Sequence, residues 1–403
     1  MNCIKKIYCR AFQFCFKIAI PVLPYRNPEI METVERVALV LREKGYKKPL
    51  IVTDKTIRET CAFKRMTESF DRVNILYTIY DKTVANPTVK NVEEAREIYL
   101  ENNCDALIAF GGGSSMDCAK AVGARIARKN KPICKMEGIL QILRKIPFLI
   151  SVPTTAGTGS EVTVAMVITD EETKHKFPIS DFCLIPSVAV LDPDTIRTLP
   201  KHIVATTGMD ALTHAVEAYI GNSTTKGSRH DALFALELIF ENLYTVYDDI
   251  ENKTARMNML YASFLAGRAF SKSYVGYCHA VAHSLGGKYN IPHGLANAVL
   301  LPYTLRSYGK SAHKKLWELA VKTKLCDKNT SYEQGASIFI EKIEKMNESM
   351  GIPKKLKGIN KEDIPHLAAY ADKEANPLYP VPCLFDAKEL EKLYYSVMEE
   401  KYD

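Results

Sequence analysis

Between Gly276 and Pro302 the chain reads GYCHAVAHSLGGKYNIPHGLANAVLLP, and three of its nine histidines, His279, His283 and His293, fall in that stretch. Upstream, GMDALTHAVEAY places Asp210 and His214 four residues apart. The segment from His202 to Tyr219 has no proline, and its apolar residues recur at helical spacing. On a helix, positions i and i+4 share one face, so this carboxylate and imidazole can point at a common ion. Taken alone, the pair reads as an ordinary helix carboxylate and a core histidine; the second segment changes that. His279 and His283 repeat the spacing, while His293 lies fourteen positions beyond His279. On an unbroken helix that interval spans about 21 Å, too far for one ion. Gly286-Gly287 is expected to end the helix and Pro292 to impose extended backbone, so that the chain folds back and returns His293 toward His279. Imidazoles with a carboxylate make a mixed N/O set suited to Fe(II) or Zn(II) rather than Ca or Mg. Four protein ligands would close a structural site; an expandable sphere would leave room for a substrate oxygen.

A second kind of chemistry is written nearer the start. The apolar run Asp105–Phe110 leads into Gly111-Gly112-Gly113-Ser114-Ser115, which opens a helical stretch from Met116 to Ala127. A buried strand, a glycine turn and a helix N-terminus form an anion cradle of backbone N–H groups. The turn is not a G-x-G-x-x-G, and a tight strand-to-helix turn explains it about as well. Pro153–Ser160 (PTTAGTGS), after the run Phe148–Val152, is a second candidate loop of glycines and hydroxyls. Two such loops suit one dinucleotide better than either alone. A third strand, Leu50–Thr53, ends in Asp54, which could accept ribose hydroxyls and repel a 2′-phosphate. A helix N-cap or turn aspartate is an equally good reading.

These segments resemble the iron-containing (group III) alcohol dehydrogenase family. The similarity is carried by Leu50–Lys55, Asn86-Pro87-Thr88, Gly111–Lys120, Pro153–Thr163, Gly208–Tyr219 and Cys278–Pro302, with a fragment at Asn376-Pro377. The resemblance implies Asp210, His214, His279 and His293 as metal ligands and His283 as the non-ligand histidine beside the nicotinamide. It implies that Gly112, Gly113, Ser114, Asp117, Thr154, Thr155 and Ser160 line the dinucleotide, with Asp54 and Asn86 nearer its adenosine half and Lys176 as a further contact. The implied reaction interconverts a small primary alcohol or diol and its aldehyde. Fe(II) is the implied metal, with Zn(II) as the alternative, and NAD the implied cofactor, with NADP as the alternative. Two other classes stay open: a metal-free or non-redox relative of the cyclase type, and a non-catalytic nucleotide-binding protein. The chain departs from the family in lacking the usual F/Y-G-x-G turn near its start, in Ala165, and in the prolines 377, 380 and 382 around Tyr379. Those departures bear on substrate identity.

The elements that must position these residues follow from the pattern. Short apolar runs alternate with helical stretches up to about Pro200: Leu50–Thr53, Asn74–Tyr80, Ala106–Phe110, Phe148–Val152, Val164–Thr169 and Val188–Leu191. That alternation predicts an α/β, Rossmann-like domain over residues 1–200, its mainly parallel sheet covered on both faces. From Lys201 the periodicity is helical through Ala320 and again from Tyr332 to Met350, which predicts an all-α metal-binding domain over 201–403. The boundary is expected near Asp192–Pro200, with the active site in the cleft between the domains.

Lys5, Lys6, Arg10, Lys17 and Arg26 supply five of the net charge of +7, with no acidic residue before Glu29. The body is nearly neutral, so no nucleic-acid partner is indicated. The basic start fails as a signal peptide, because Gln13 and Lys17 interrupt its apolar core, and is too short before Pro21 and Pro24 to span a bilayer. It is expected to pack on the first domain or a neighbouring subunit, with a membrane-surface arm as the less favoured reading. A homodimer is expected. Eleven scattered cysteines fit a reducing cytoplasm, and Cys278 is expected to be a buried thiol in the pocket wall.

Overall fold

A computed structural model describes residues 1–173 and 175–399. Nine strands occur in them: β1 Glu29–Met31, β2 Pro49–Val52, β3 Thr78–Tyr80, β4 Ala106–Gly111, β5 Gly138–Ile139, β6 Phe148–Pro153, β7 Ala165–Thr169, β8 Lys176–Ser180 and β9 Val188–Val190. Six form a sheet in the order β1-β9-β6-β4-β2-β3, every pairing parallel. Parallel strands need crossovers, here largely helical, and these cover both faces. The strand residues accordingly divide by alternation. Leu50, Val52, Leu107, Ala109 and Leu149 join one core layer; Ile51, Ala106, Ile108, Phe110, Ile150 and Val152 join the other.

Val164–Thr169 was expected among the parallel strands, but β7 lies in a separate sheet of order β5-β8-β7, antiparallel to β8. Only a short turn separates β7 from β8, which permits a hairpin and is too brief for a parallel crossover. Of the expected run Asn74–Tyr80 only Thr78–Tyr80 is strand, since Asn74 sits in a left-handed turn at φ 55°.

Packing divides the chain into two units: Pro24–Pro200 with Asp248–Gly267, and Met1–Leu23 with Lys201–Tyr247 and the chain from Arg268 on. The second unit is mostly helical, with helices Lys201–Ile220, Lys226–Asp248, Tyr277–Tyr289, His293–Ser307, Lys310–Lys322, Tyr332–Ser349, Ile364–Ala375 and Ala387–Val397. In the first, Gly159 (φ +61°) lies against Gly267, and a Cβ on Gly159 would come within 2.7 Å of the Gly267 Cα.

The amino-terminal helix, Cys3–Ala19, expected on the first domain or a neighbouring subunit, joins the helical unit rather than the α/β unit. Its partners explain why. Lys5 bonds Asp372 at 2.8 and 3.0 Å, and Arg10 donates to the Val381 and Pro382 carbonyls at 2.7 and 2.9 Å. Gln13 donates to the Pro377 and Tyr379 carbonyls at 3.1 and 2.8 Å. The proline-rich segment from 377 to 382 has few N–H groups of its own and forms no sheet ladder, so its carbonyls need donors from elsewhere. No helix among the described residues is long and apolar enough to cross a membrane.

Candidate metal centre and nucleotide cradle

The helix Lys201–Ile220 carries Asp210 and His214 one turn apart, both buried. His279 and His283 lie one turn apart on the helix Tyr277–Tyr289. Gly286-Gly287, expected to end that helix, are inside it. It runs on until Asn290 takes a left-handed conformation, φ 55°, a role asparagine fills at little cost. Two interior glycines cost about 1 kcal/mol each, and the burial of Leu285 and Gly286 offsets this. The chain does fold back: Pro292 caps a new helix whose first residue is His293. Gly294 lets that helix approach the first, since a Cβ there would lie 2.4 Å from the Thr206 carbonyl oxygen.

Asp210, His214, His279 and His293 are thereby brought together, one ligand atom from each lying within 4.8 Å of the others. The His214 ring stacks between Phe270, at 4.3 Å, and His279, at 4.4 Å. Asp210 Oδ1 is 3.6 Å from His293 Nε2 and 3.9 Å from His279 Nε2. The His279 Nδ1–H donates to Glu217 at 2.6 Å, so the lone pair is on Nε2, and this buried nitrogen takes no hydrogen bond. A buried imidazole lone pair aimed at a carboxylate and two further imidazoles is what a transition-metal ion requires, and these residues fit one.

Two residues of this centre escaped the sequence reading. Glu217, almost fully buried, also accepts the Gly276 and Cys278 N–H groups at 2.8 and 3.0 Å. It thus caps the helix Tyr277–Tyr289, whose own N-cap Gly276 has no side chain to do so, and it fixes the His279 tautomer as carboxylates beside metal-binding histidines do. Asn297 donates to Asp210 at 2.7 Å and lies 3.1 Å from His293 Nε2. Both were marked by spacing: Glu217 is three residues after His214, a lone acid in an apolar run, and Asn297 is four after His293. Burial pushes the Cys278 thiol well above its usual range, so it stays protonated and inert. His283 is outside the four-residue cluster, its ring stacked 5.1 Å from that of His293 and its Nδ1 2.7 Å from Glu374.

In the α/β unit, Asp54, Gly112 and Thr154 follow β2, β4 and β6, three adjacent strands, at their shared carboxyl edge. Ligands of open parallel sheets bind beyond that edge. The helix starts at Gly113 rather than Met116, and Gly112 caps it without a side-chain hydrogen bond, leaving its first N–H groups for a ligand. The two loops lie against each other. Thr154 N–H donates to the Gly111 carbonyl at 3.0 Å, and Gly113 approaches Thr158 so closely that a Cβ would lie 2.7 Å from its methyl. Ser114 and Thr155 are half-buried on these loops. Asp117 accepts from the Ser160 hydroxyl at 2.9 Å and from Val167 N–H at 3.0 Å, which ties the loops into one surface. Lys176 donates to Asn86 Oδ1 at 2.8 Å, so these two also meet. Asp54 caps the short helix Lys55–Arg58, its Oδ1 accepting from Thr56 and Ile57 N–H groups at 2.9 Å each.

Beneath the cradle are two buried charges. Lys120 donates to Thr163 and to the Ala165 carbonyl at 2.8–3.0 Å, and desolvation lowers it to about 8. Desolvation likewise raises Glu161 to about 7, and neither of its oxygens takes a hydrogen bond from another residue.

Comparison with known proteins places the chain in a family. The profile of iron-containing alcohol dehydrogenases matches residues 31–193, and that of the family's C-terminal domain matches residues 204–398. Alcohol dehydrogenase 4 of Saccharomyces cerevisiae is 38% identical over 346 residues, covering 85% of this chain and 89% of the yeast protein. The 1,3-propanediol dehydrogenase of Citrobacter freundii is 35% identical over 387 residues, covering 94% and 98%. A crystal structure of 1,3-propanediol oxidoreductase superposes with a TM-score of 0.88 at 34% identity, covering 93% of this chain and 99% of that one. The chain belongs to the iron-containing alcohol dehydrogenase family.

Proposed function

We propose that this protein interconverts a small primary alcohol or diol and its aldehyde with NAD(H), using Fe(II) held by Asp210, His214, His279 and His293. The observation that carries this reading is the buried, unbonded His279 Nε2 facing three other ligand atoms. When bound, the metal polarises the substrate oxygen and lowers the alcohol's pKa, and the nicotinamide takes up or returns the hydride. The chain's own part is to hold the ligands ready. Glu217 keeps the His279 lone pair on Nε2, and Asn297 holds the Asp210 carboxylate. His283, with Nδ1 committed to Glu374, has Nε2 left to exchange a proton or orient the substrate. The glycine and hydroxyl loops of residues 111–115 and 153–160 would take the dinucleotide, with Lys176, Asn86 and Asp54 toward its periphery. Eleven cysteines without a disulfide support a reducing, cytoplasmic setting.

The test is a panel of short alcohols, diols and aldehydes assayed with NAD(H) and NADP(H) on protein of measured metal content. Metal-dependent nicotinamide reduction by one or more alcohols is expected. Dinucleotide binding without turnover of any of them would sink the reading in favour of a non-catalytic nucleotide-binding protein.

A further inference from the structure

Glu374 is the last acid before the Asn376-Pro377 fragment, and one of its oxygens is doubly engaged. Its Oε1 lies 2.7 Å from His283 Nδ1 and accepts the Tyr379 hydroxyl at 2.7 Å. With the tyrosine O–H already donating to that oxygen, the imidazole contributes its Nδ1–H, and its lone pair resides on Nε2. Tyr379 is itself buried, and its backbone carbonyl receives the Gln13 amide at 2.8 Å. Gln13, also buried, is fixed in turn, accepting from Arg10 at 2.8 Å, while its own carbonyl accepts the Ser223 hydroxyl at 2.9 Å. A continuous chain of hydrogen bonds therefore runs from the amino-terminal helix through the 377–382 segment to the histidine stacked on His293.

We propose that Glu374 is the positioning residue for His283 and that the amino-terminal helix braces it through Tyr379. The proposal deepens the function given above and rests on His283 acting in that reaction. Left to itself, an imidazole can rotate about its χ angles and exchange tautomers; an acceptor at Nδ1 selects one orientation and one tautomer. The same logic gives the basic start of this chain a task, because removing its donors would release the carbonyls of the segment that carries Tyr379.

The experiment compares Glu374→Leu, which removes the acceptor at similar volume, with Glu374→Gln, which keeps one acceptor oxygen. Each is made with His283 intact and with His283→Ala, with metal content and Tm measured throughout. Positioning predicts that Glu374→Leu lowers kcat about 10- to 100-fold, the low end of what a placed acid–base side chain contributes, with KM and metal content nearly unchanged. Glu374→Gln should restore most of kcat. In the His283→Ala background Glu374→Leu should cost nothing further. Equal losses in the Leu and Gln variants, or a loss that persists without His283, would overturn the assignment. Full activity in Glu374→Leu beside an impaired His283→Ala overturns positioning alone; full activity in His283→Ala overturns the histidine's role and this proposal with it. Gln13→Ala should lower kcat in the same direction by less than Glu374→Leu, and an unchanged kcat there would refute the brace.

Discussion

The two candidate sites of this chain are made of different material. In the helical unit, four side chains from three helices converge, and several of them are held by a further named group: His279 by Glu217, Asp210 by Asn297, His214 between Phe270 and His279. In the α/β unit, the atoms offered to a ligand are mainly backbone N–H groups, glycine surface and hydroxyls at the ends of adjacent strands. A site of converging side chains concentrates its free energy in few atoms, so one substitution should abolish it. A cradle of backbone spreads it, and no single side chain should be indispensable.

The sharpest way to break that comparison is to remove a ligand. His279→Ala or His293→Ala should abolish metal binding and lower kcat/KM by about a thousandfold or more, equivalent to ~4 kcal/mol, while dinucleotide affinity measured by titration stays near wild type. Glu217→Gln should weaken metal by about 10- to 100-fold, since the partner of a metal-binding histidine acts through that histidine. Wild-type turnover in metal-free protein would show that the side-chain site is not where the chemistry resides. Dinucleotide binding lost together with metal would show that the two sites are not separable in this way.

The difference in material also decides what could be read beforehand. The clustering of Asp210 and His214 was legible because they stood at i, i+4 spacing in a proline-free apolar run, whereas the choice of His279 and His293 over His283 as further candidate ligands came from the family resemblance. The parallel sheet was legible because its apolar runs alternated with helical stretches. The residues that hold the candidate ligands were harder: Glu217 stands three residues after His214, but its reach to the start of a different helix is a relation that this spacing does not express. The end of the Tyr277–Tyr289 helix was misread because two glycines signal termination locally, whereas burial of that helix overrides the signal. The placement of β7 turned on its pairing with β8, which depends on the length of a turn rather than on the composition of the strand. The amino-terminal helix, expected on the first domain or a neighbouring subunit, joins the helical unit for a related reason: its partners are carbonyls near residue 380, far along the sequence.

A weaker test sharpens the α/β side. Asp54 already caps a helix, so replacing it by glycine would remove both the cap and any ribose contact. Asp54→Asn separates the two, because the amide oxygen still accepts from Thr56 and Ile57 while the charge is gone. If the carboxylate faces the ribose, preference for NAD over NADP should narrow by about tenfold, within the ~1–3 kcal/mol of a charge-assisted hydrogen bond, with Tm unchanged. Steady-state kinetics with both cofactors reads it directly. An unaltered preference would leave Asp54 as a helix cap alone.

The smallest effect expected concerns the buried acid under the cradle, and it falls on stability rather than turnover. Glu161 takes no hydrogen bond from another residue, and burial raises it from 4.5 to about 7. A folded-state value above the unfolded one means that the native chain binds more protons between those limits. The contribution to stability is therefore present below about 4.5 and is lost as pH rises through 7. Glu161→Gln cannot ionise and should escape that loss. The gain should be about 1–2 kcal/mol once the neighbouring Lys120 cation is set against the desolvation cost. Thermal unfolding at pH 5 and pH 7.5 should show the Tm difference between variant and wild type growing with pH, by about 1–2 °C for a chain of this length. If that difference is the same at both pH values, the carboxylate is solvated rather than desolvated, and the cradle stands on a wetter base than its burial implies.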